Sequence, residues 1–342
     1  MSNIVHRPFA ERFSPAPIIS GLQQDGWWTW CGSSIRDDDG RYHLFAARWP
    51  QNYKFLPGYQ CASEIVRAIS DTPQGPYRFV EVVLGDRGPG FWDGRMTHNP
   101  VVVRRRDRFL LFYIGTTYDR SRPTAQEVLN GPDFWPWYRQ IRIGVAWSDR
   151  LEGPWHRPDR PLLEPLPGGW DAHVVTNPSP CLTPDGRLLL YYRTWIPEVG
   201  CRLGLAEYGD LDRPPLWRST EPLFNGSGLT LEDPCVFYLD GHYEMIAKDL
   251  NGLTCGELHA GIHLLSRDGR AWQVAPQAKA WTRSIIWEDG APRRLAHFER
   301  PQVLLEAGQP AWIFAAMAEG EDGPKGNFSL LKRTWTGVVP LR

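Results

Sequence analysis

A short phrase recurs along the chain: two polar residues, a proline, a strand-like apolar run and then a tight turn. In each copy, six or seven residues separate the proline position from the turn. A weaker first copy has Gly32 and Ser33 in place of the last polar residue and the proline. Regular recurrence of this kind is typical of repeat architectures. The four full copies are His98-Asn99-Pro100, Thr176-Asn177-Pro178, Glu232-Asp233-Pro234 and Glu299-Arg300-Pro301.

Each copy continues as a β-hairpin. Asp-Gly turns such as Asp39-Gly40 and Asp240-Gly241 lead into second runs that are rich in aromatic and branched residues. A third strand-like run follows in most copies. Small antiparallel sheets repeated five times predict an all-β, five-bladed β-propeller. We predict one domain over residues 1–342, with blades near 21–85, 86–165, 166–222, 223–280 and 281–342.

Composition argues against several classes of partner. The formal net charge is −1, which argues against a nucleic-acid-binding or anionic-membrane surface. No apolar run approaches the length of a transmembrane helix, so we expect a soluble, cytoplasmic protein. The six cysteines form no C-x-x-C pair, so no zinc site is indicated. The sequence does not specify the oligomeric state.

The innermost strands of a propeller begin around one end of its axis. Residues beside the repeated prolines are therefore the first place to look for a site. They carry more titratable groups than a purely structural repeat needs, although Glu232 also suits a turn cap and His98 a buried core histidine. The candidates are His98, Asn99, Asn177, Glu232, Asp233, His297, Glu299 and Arg300.

Tryptophan and aspartate occur together on loops shortly before three of these strands. Carboxylates beside tryptophan faces are typical of carbohydrate sites, because the ring stacks on the sugar while the acid bonds its hydroxyls. Two carboxyls flanking a glycosidic bond suffice for its hydrolysis. Asp93 and Asp171 also suit acids that only order a loop, so both roles stay open. The residues concerned are Asp25, Trp27, Trp30, Trp92, Asp93, Asp171 and His173.

These motifs resemble the five-bladed β-propeller glycosidases of glycoside hydrolase family 43 and the related family 117. Glu232-Asp233-Pro234 followed by Asp240-Gly241-His242-Tyr243 is similar to the family 43 blade that carries the general-acid glutamate. The resemblance implies an inverting mechanism with Glu232 as the acid. The chain has Gly32 and Asn177 where family 43 has aspartates, so other acids must come from neighbouring loops. Family 117 implies a histidine acid, and the candidates are His98 and His297.

We predict an exo-acting glycoside hydrolase that removes a terminal sugar from a small oligosaccharide. Glu232 is the predicted acid, Asp171 or Asp233 tunes its pKa, and Asp93 or Asp25 activates water. No cofactor or protein metal site is predicted, although the family resemblance allows a water-coordinated structural cation on the axis. Sugar contacts are predicted for His98, Asn99, His173, Asn177, Lys248, Glu299 and Arg300, with ring stacking on Trp27, Trp30, Trp49 and Trp92.

Two other functions stay open. A glycoside phosphorylase on the same fold needs one acid and a cationic cluster for phosphate, for which Arg95, Lys248 and Arg300 are available. A sugar-binding propeller without catalysis is consistent with the missing blade-one aspartate. The sequence does not specify the sugar, the anomer, the linkage or how the ring of blades closes.

Overall fold

β-Strands make up 50% of the computed structural model and helices 7%, which confirms the predicted all-β class. The structure describes residues 7–130, 135–321 and 328–342. Five small antiparallel sheets stand in a ring as the blades of a five-bladed β-propeller, as predicted. The strands of each sheet lie within one predicted blade range, except that the fourth sheet ends at Trp281, one residue later.

Strands that are consecutive in sequence are neighbours within each blade. Blades one and two contain β1 (Trp27–Arg36), β2 (Tyr42–Pro50), β3 (Glu64–Ser70) and β4 (Arg78–Leu84), then β5 (Met96–Arg105), β6 (Arg108–Thr116) and β7 (Arg142–Ser148). Blades three and four contain β8 (Thr176–Leu182), β9 (Leu188–Ile196), β10 (Gly200–Tyr208) and β11 (Trp217–Arg218), then β12 (Leu231–Leu239), β13 (His242–Asp249), β14 (Gly261–Ser266) and β15 (Gln273–Trp281). A hairpin of β16 (Ser284–Ile286) and β17 (Pro292–Arg294) precedes blade five, which contains β18 (His297–Glu306), β19 (Gln309–Gly320) and β20 (Leu331–Pro340).

Among the described residues, helices occur only outside the blades. α1 (Phe55–Ala62) joins β2 to β3, while α2 (Ala125–Asn130) and α3 (Trp135–Arg139) lie between β6 and β7. Short 3-10 turns cover Phe9–Arg12 and Phe328–Leu330. None of the helices in the described ranges is long and apolar enough to cross a bilayer.

The hydrophobic core lies mainly between blades. Each pair of neighbouring blades shares a cluster of buried aromatic and aliphatic side chains, because each sheet has two apolar faces to remove from water. The clusters lock each blade to the next around the ring. Members from adjoining blades are Phe45 and Leu111, Phe112 and Tyr192, Tyr191 and Met245, Ile246 and Phe298, and Phe314 and Leu44.

The repeated proline phrase forms an irregularity, or β-bulge, near the start of each innermost strand. The residue before each proline has left-handed backbone, with φ between 53° and 56°. In blade one the left-handed residue is Cys31, with φ 47°. Aligning the sequence copies predicts Gly32 as the left-handed residue of blade one. This prediction is wrong by one residue, because blade one lacks the proline that marks the left-handed residue in the other blades. Cys31 therefore occupies the blade-one place on the axis.

The N-terminal segment closes the ring of blades. Leu22 and Thr336 of β20 exchange two backbone hydrogen bonds of 3.0 Å. One residue earlier, the carbonyl of Gly21 accepts a hydrogen bond of 2.7 Å from the backbone N–H of Tyr77 in blade one. The segment 13–22 thereby joins the outer strand of the last blade to the first blade.

Candidate active site

A pocket of about 690 Å³ opens at the end of the axis where the innermost strands begin. Its floor is polar and its wall is largely aromatic, a combination typical of small-ligand sites. The repeat thus brings together most of the polar residues that the sequence singles out. The predicted site residues that line the pocket are Trp30, Trp49, His98, Asn99, Asn177, Glu232, Asp233, Lys248, Glu299 and Arg300.

A buried lysine connects two carboxylates on the pocket floor. Lys248 Nζ lies 2.9 Å from Glu232 Oε2 and 2.9 Å from Glu299 Oε1. Arg193 Nη2 contacts the other oxygen of Glu232 at 2.9 Å. Arg300 pairs with Asp233 at 3.3 Å. Among the described residues of the floor, three cations therefore face three carboxyl groups.

Strand register explains why two cations meet at Glu232. Glu232 of β12 pairs with Lys248 of β13, and Thr176 of β8 pairs with Arg193 of β9. The same hairpin position therefore supplies a cation from blade four and another from blade three. Arg193 is not among the residues predicted from the sequence, although aligning the second strands of the repeats in register would have found it.

The charges of the floor separate the pKa values of its carboxyls. Burial acts to raise the pKa of Glu232, but Lys248 and Arg193 outweigh burial and hold that pKa below its usual value. Lys248 and His297 likewise outweigh burial at Glu299, so its pKa lies well below the usual range. Burial and the adjacent charge of Glu232 raise the pKa of Asp233. Glu232 and Glu299 are therefore ionised at neutral pH.

The two axial histidines lie in different surroundings. His98 Nδ1 is 2.8 Å from Ser63 Oγ, and burial together with the charge of Arg300 lowers the pKa of His98 to about 3. Its ring is therefore neutral, which does not suit a general acid at neutral pH. His297 is buried beside Glu299, with Nδ1 2.8 Å from Oε1, and its ring stacks on Phe328.

The aromatic wall offers rings of different accessibility. Phe55 packs against both Trp30 and Trp49, and Trp49 is fully buried. A ring in this position does not suit the stacking role predicted for Trp49. Partly exposed rings of the same pocket are Tyr59, Trp195 and Phe328, which the sequence analysis did not single out.

Asp93 and Asp171 lie outside the pocket, in two similar buried networks. Asp93 contacts Arg157 at 2.6 Å and accepts a hydrogen bond of 2.6 Å from the hydroxyl of Tyr113. Asp171 accepts the same kind of bond, also 2.6 Å, from the hydroxyl of Tyr192. These contacts fit the loop-ordering alternative, and neither carboxylate reaches the floor to activate water or to tune Glu232.

Four further predicted residues also lie away from the pocket lining. Asp25 and His173 are exposed loop residues. Trp27 packs under an arginine, with 4.0 Å between the guanidinium carbon and the ring centroid, and Trp92 stacks on a blade-two tyrosine. Their positions do not suit water activation by Asp25 or the sugar contacts predicted for the other three residues.

A group of potential metal ligands also lies away from the pocket, at Asp37, His43 and Glu152. Arg67 Nη1 donates to His43 Nδ1 at 3.1 Å, while His43 Nε2 lies 3.1 Å from Asp37 Oδ2. The bond from Arg67 assigns the ring proton to Nε2, so neither ring nitrogen has a free lone pair for a metal. The group fits a hydrogen-bond network better than a metal site.

No protein-family model matches the chain, and no curated protein matches it. Solved structures are similar to it over nearly its whole length. They include a family 117 glycoside hydrolase from the marine bacterium Zobellia galactanivorans (TM-score 0.65, 15% identity, 97% of this chain and 91% of that chain). A thermostable family-43 glycoside hydrolase (TM-score 0.62, 12% identity, 96% and 93%) and the catalytic domain of a Coprinopsis cinerea GH62 α-L-arabinofuranosidase (TM-score 0.63, 12% identity, 98% and 98%) are also similar. The chain has the five-bladed propeller fold of these enzymes.

Proposed function

We propose that the protein is a glycoside hydrolase that acts on the terminal sugar of a small oligosaccharide. The axial pocket carries this proposal, because it places three carboxylates beside partly exposed aromatic rings. Its volume of about 690 Å³ suits the end of a sugar chain. The shared fold of several glycoside hydrolases supports the same function. We also propose a cytoplasmic setting, in which the six unpaired, buried cysteines stay reduced.

Glu232 is the carboxylate that we expect to meet the substrate. Its side chain is 17% exposed, against 7% for Glu299 and 2% for Asp233. Lys248 and Arg193 hold its pKa low against the effect of burial. A low pKa suits an ionised base or nucleophile better than the general acid that the family resemblance implies. We therefore assign Glu232 the role of base or nucleophile.

The spacing of the carboxylates relates to the stereochemical course. Because Lys248 Nζ contacts both Glu232 and Glu299 at 2.9 Å, the two contacting oxygens lie less than about 6 Å apart. Carboxyls of inverting enzymes are about 6.5–9.5 Å apart, and those of retaining enzymes about 5–5.5 Å. The pair is thus closer than the inverting range, but because both groups are ionised at neutral pH it lacks the protonated carboxyl that either course uses on the leaving group.

The first test is NMR-monitored hydrolysis of aryl glycosides and short oligosaccharides in phosphate-free buffer. Glu232→Gln should lower the rate by at least about a hundredfold. The control is Glu152→Gln, since Glu152 is half exposed and lies outside the pocket, and its rate should equal that of wild type. Aryl groups that leave without a proton need no general acid, so their rates of release report on Glu232 alone. The sugar anomer released first gives the stereochemical course. Equal turnover by the two variants would refute the assignment of Glu232.

The pH dependence separates the two chemical roles of Glu232. A base or nucleophile loses activity as the pH falls and the carboxylate is protonated. Because the pKa of Glu232 is lowered, kcat/KM should stay constant down to a pH below the ordinary glutamate value of about 4.3. A general acid would instead lose activity as the pH rises through its pKa. A rate profile with only such an alkaline limb would contradict the assigned role.

Sugar binding without catalysis is the second candidate function. The family 43 resemblance implies a base at the blade-one position, but this chain has Cys31 there. Burial raises the pKa of the Cys31 thiol to about 12, so the thiol stays neutral. Calorimetric binding without turnover would favour this function. A phosphorylase has less support, because the cations of the floor already pair with carboxylates and Arg95 pairs with Asp86 outside the pocket. Turnover that requires phosphate would favour the phosphorylase.

A further inference from the structure

The five left-handed bulge residues, one from each blade, meet at the axis. Asn99 Nδ2 donates to Asn177 Oδ1 at 3.1 Å, and Asn177 Nδ2 donates to Asp233 Oδ1 at 2.6 Å. Cys31 Sγ contacts Asn99 Oδ1 at 3.5 Å, and Arg300 Nη1 donates to Asp233 Oδ1 at 3.3 Å. These five residues form a continuous arc of hydrogen bonds, which we name the axial arc.

A cation on the axis would need free oxygen ligands, because hard cations prefer carboxylate and amide oxygens. The side-chain oxygens of the axial arc already accept hydrogen bonds that hold the five residues together, so a cation would have to compete with these donors. Asn177 Oδ1 accepts a second bond of 2.8 Å from Thr176, and Asp233 Oδ2 accepts one of 3.3 Å from the backbone N–H of Arg300. His297 Nδ1 lies 2.8 Å from Glu299 Oε1, and its Nε2 is buried with no hydrogen-bond partner among the described residues. A single imidazole nitrogen does not meet the preference of a hard cation for six to eight oxygen ligands, so the residues present do not fit the structural cation that the family resemblance allows.

A positive charge of the chain itself already lies among these residues. Arg300 is only 4% exposed. Its charge adds to the effect of burial in lowering the pKa of His98 in blade two, and it opposes the burial that raises the pKa of Cys31 in blade one. Its guanidinium therefore interacts with groups well beyond its own blade. A divalent cation at the same place would be repelled by this charge.

We propose that the guanidinium of Arg300 serves as the axial cation of this propeller and takes the place that a bound metal ion would fill. Arg300 reaches from blade five to Asp233 in blade four, and the axial arc continues through Asn177 and Asn99 to Cys31. One buried charge thereby connects all five blades at their centre. The propeller accordingly folds and remains stable without a divalent metal.

Wild-type protein purified without added metal provides the first test. Elemental analysis should find no stoichiometric divalent metal. Thermal unfolding in excess EDTA, in calcium chloride and in magnesium chloride should give Tm values within about 1 °C of one another, because a metal that binds the native state would raise the Tm. Stoichiometric metal, or a Tm that falls by several degrees in EDTA, would overturn the proposal.

Two variants separate the charge of Arg300 from its packing. Arg300→Lys keeps a cation and Arg300→Gln removes it, while both residues face the same cost of left-handed backbone. The Tm should fall clearly further for Arg300→Gln than for Arg300→Lys. An equal or smaller fall for Arg300→Gln would show that the charge is not needed. Metal content and the EDTA response of wild type decide the matter if neither variant folds.

Discussion

At the residue scale, the polar floor depends most on Lys248, which contacts Glu232 and Glu299 together. Lys248→Met leaves these two buried carboxylates without their shared cation. Removing one partner of a buried ion pair costs about 3–5 kcal/mol, because the remaining charge stays desolvated. We expect a fall of this size in the free energy of unfolding, measured by urea denaturation at neutral pH.

Lys279→Met is the matched control for this prediction. Lys279 also pairs with a glutamate, Glu257, at 3.3 Å, but its side chain is 41% exposed. Exposed pairs contribute less than about 1 kcal/mol, since water and salt screen them. Similar losses in the free energy of unfolding of the two variants would mean that burial does not strengthen the ion pairs of Lys248.

The sequence predicts most of the floor because the repeat marks the residues that begin each innermost strand. Aligning the second strands marks Arg193 as the counterpart of Lys248, but the contact of Arg193 with Glu232 also depends on the packing of blades three and four, which the sequence does not predict. The sequence also shifts the blade-one position from Cys31 to Gly32, since blade one lacks the proline that marks the left-handed residue in the other four blades. Roles that depend on distant partners, such as the ion pair of Asp93, need the structure.

At the element scale, α1 is the part of the pocket wall that the sequence does not predict. Pro57 and Gly58 are poor helix formers, so local propensity argues against a helix at Phe55–Ala62. The helix is stabilised by packing, because Phe55 lies against Trp49 and Trp30. The blade hairpins are predictable because their turn residues and strand patterns are local signals.

Packing at α1 gives a prediction that opposes propensity. In Gly58→Ala the new Cβ would lie 2.6 Å from Tyr53 Cβ and 3.0 Å from the ring of Trp49. Overpacking costs about 1–3 kcal/mol, whereas alanine gains at most about 1 kcal/mol over glycine in a helix. We expect a net loss in the free energy of unfolding by denaturation. The control is Gly90→Ala, whose Cβ would meet no described atom within 4 Å. Equal changes in the free energy of unfolding of the two variants would exclude the clash.

At the scale of the whole molecule, five copies of one phrase suffice to predict the propeller, but they do not predict its closure. Segment 13–22 forms isolated bridges rather than a strand, among them the bridge of Leu22 with Thr336 of β20, so it carries no alternating strand pattern. Its contacts pair residues from opposite ends of the chain. Such long-range pairs leave no local signal in a single sequence.

Closure of the ring can be tested at Gly21, whose φ is +64° and whose added Cβ would lie 1.7 Å from the carbonyl oxygen of Thr336. Gly21→Ala must therefore separate segment 13–22 from β20. The control is Gly26→Ala, since Gly26 has φ +78° but open space around it, so alanine there meets only the left-handed cost of about 1–2 kcal/mol. We expect Gly21→Ala to lose at least about 2 kcal/mol more in denaturation. Hydrogen exchange should rise first in β20 and last in β12, because the ring opens at its seam. Equal losses in both variants, or a uniform rise across the blades, would show that the ring does not depend on this seam.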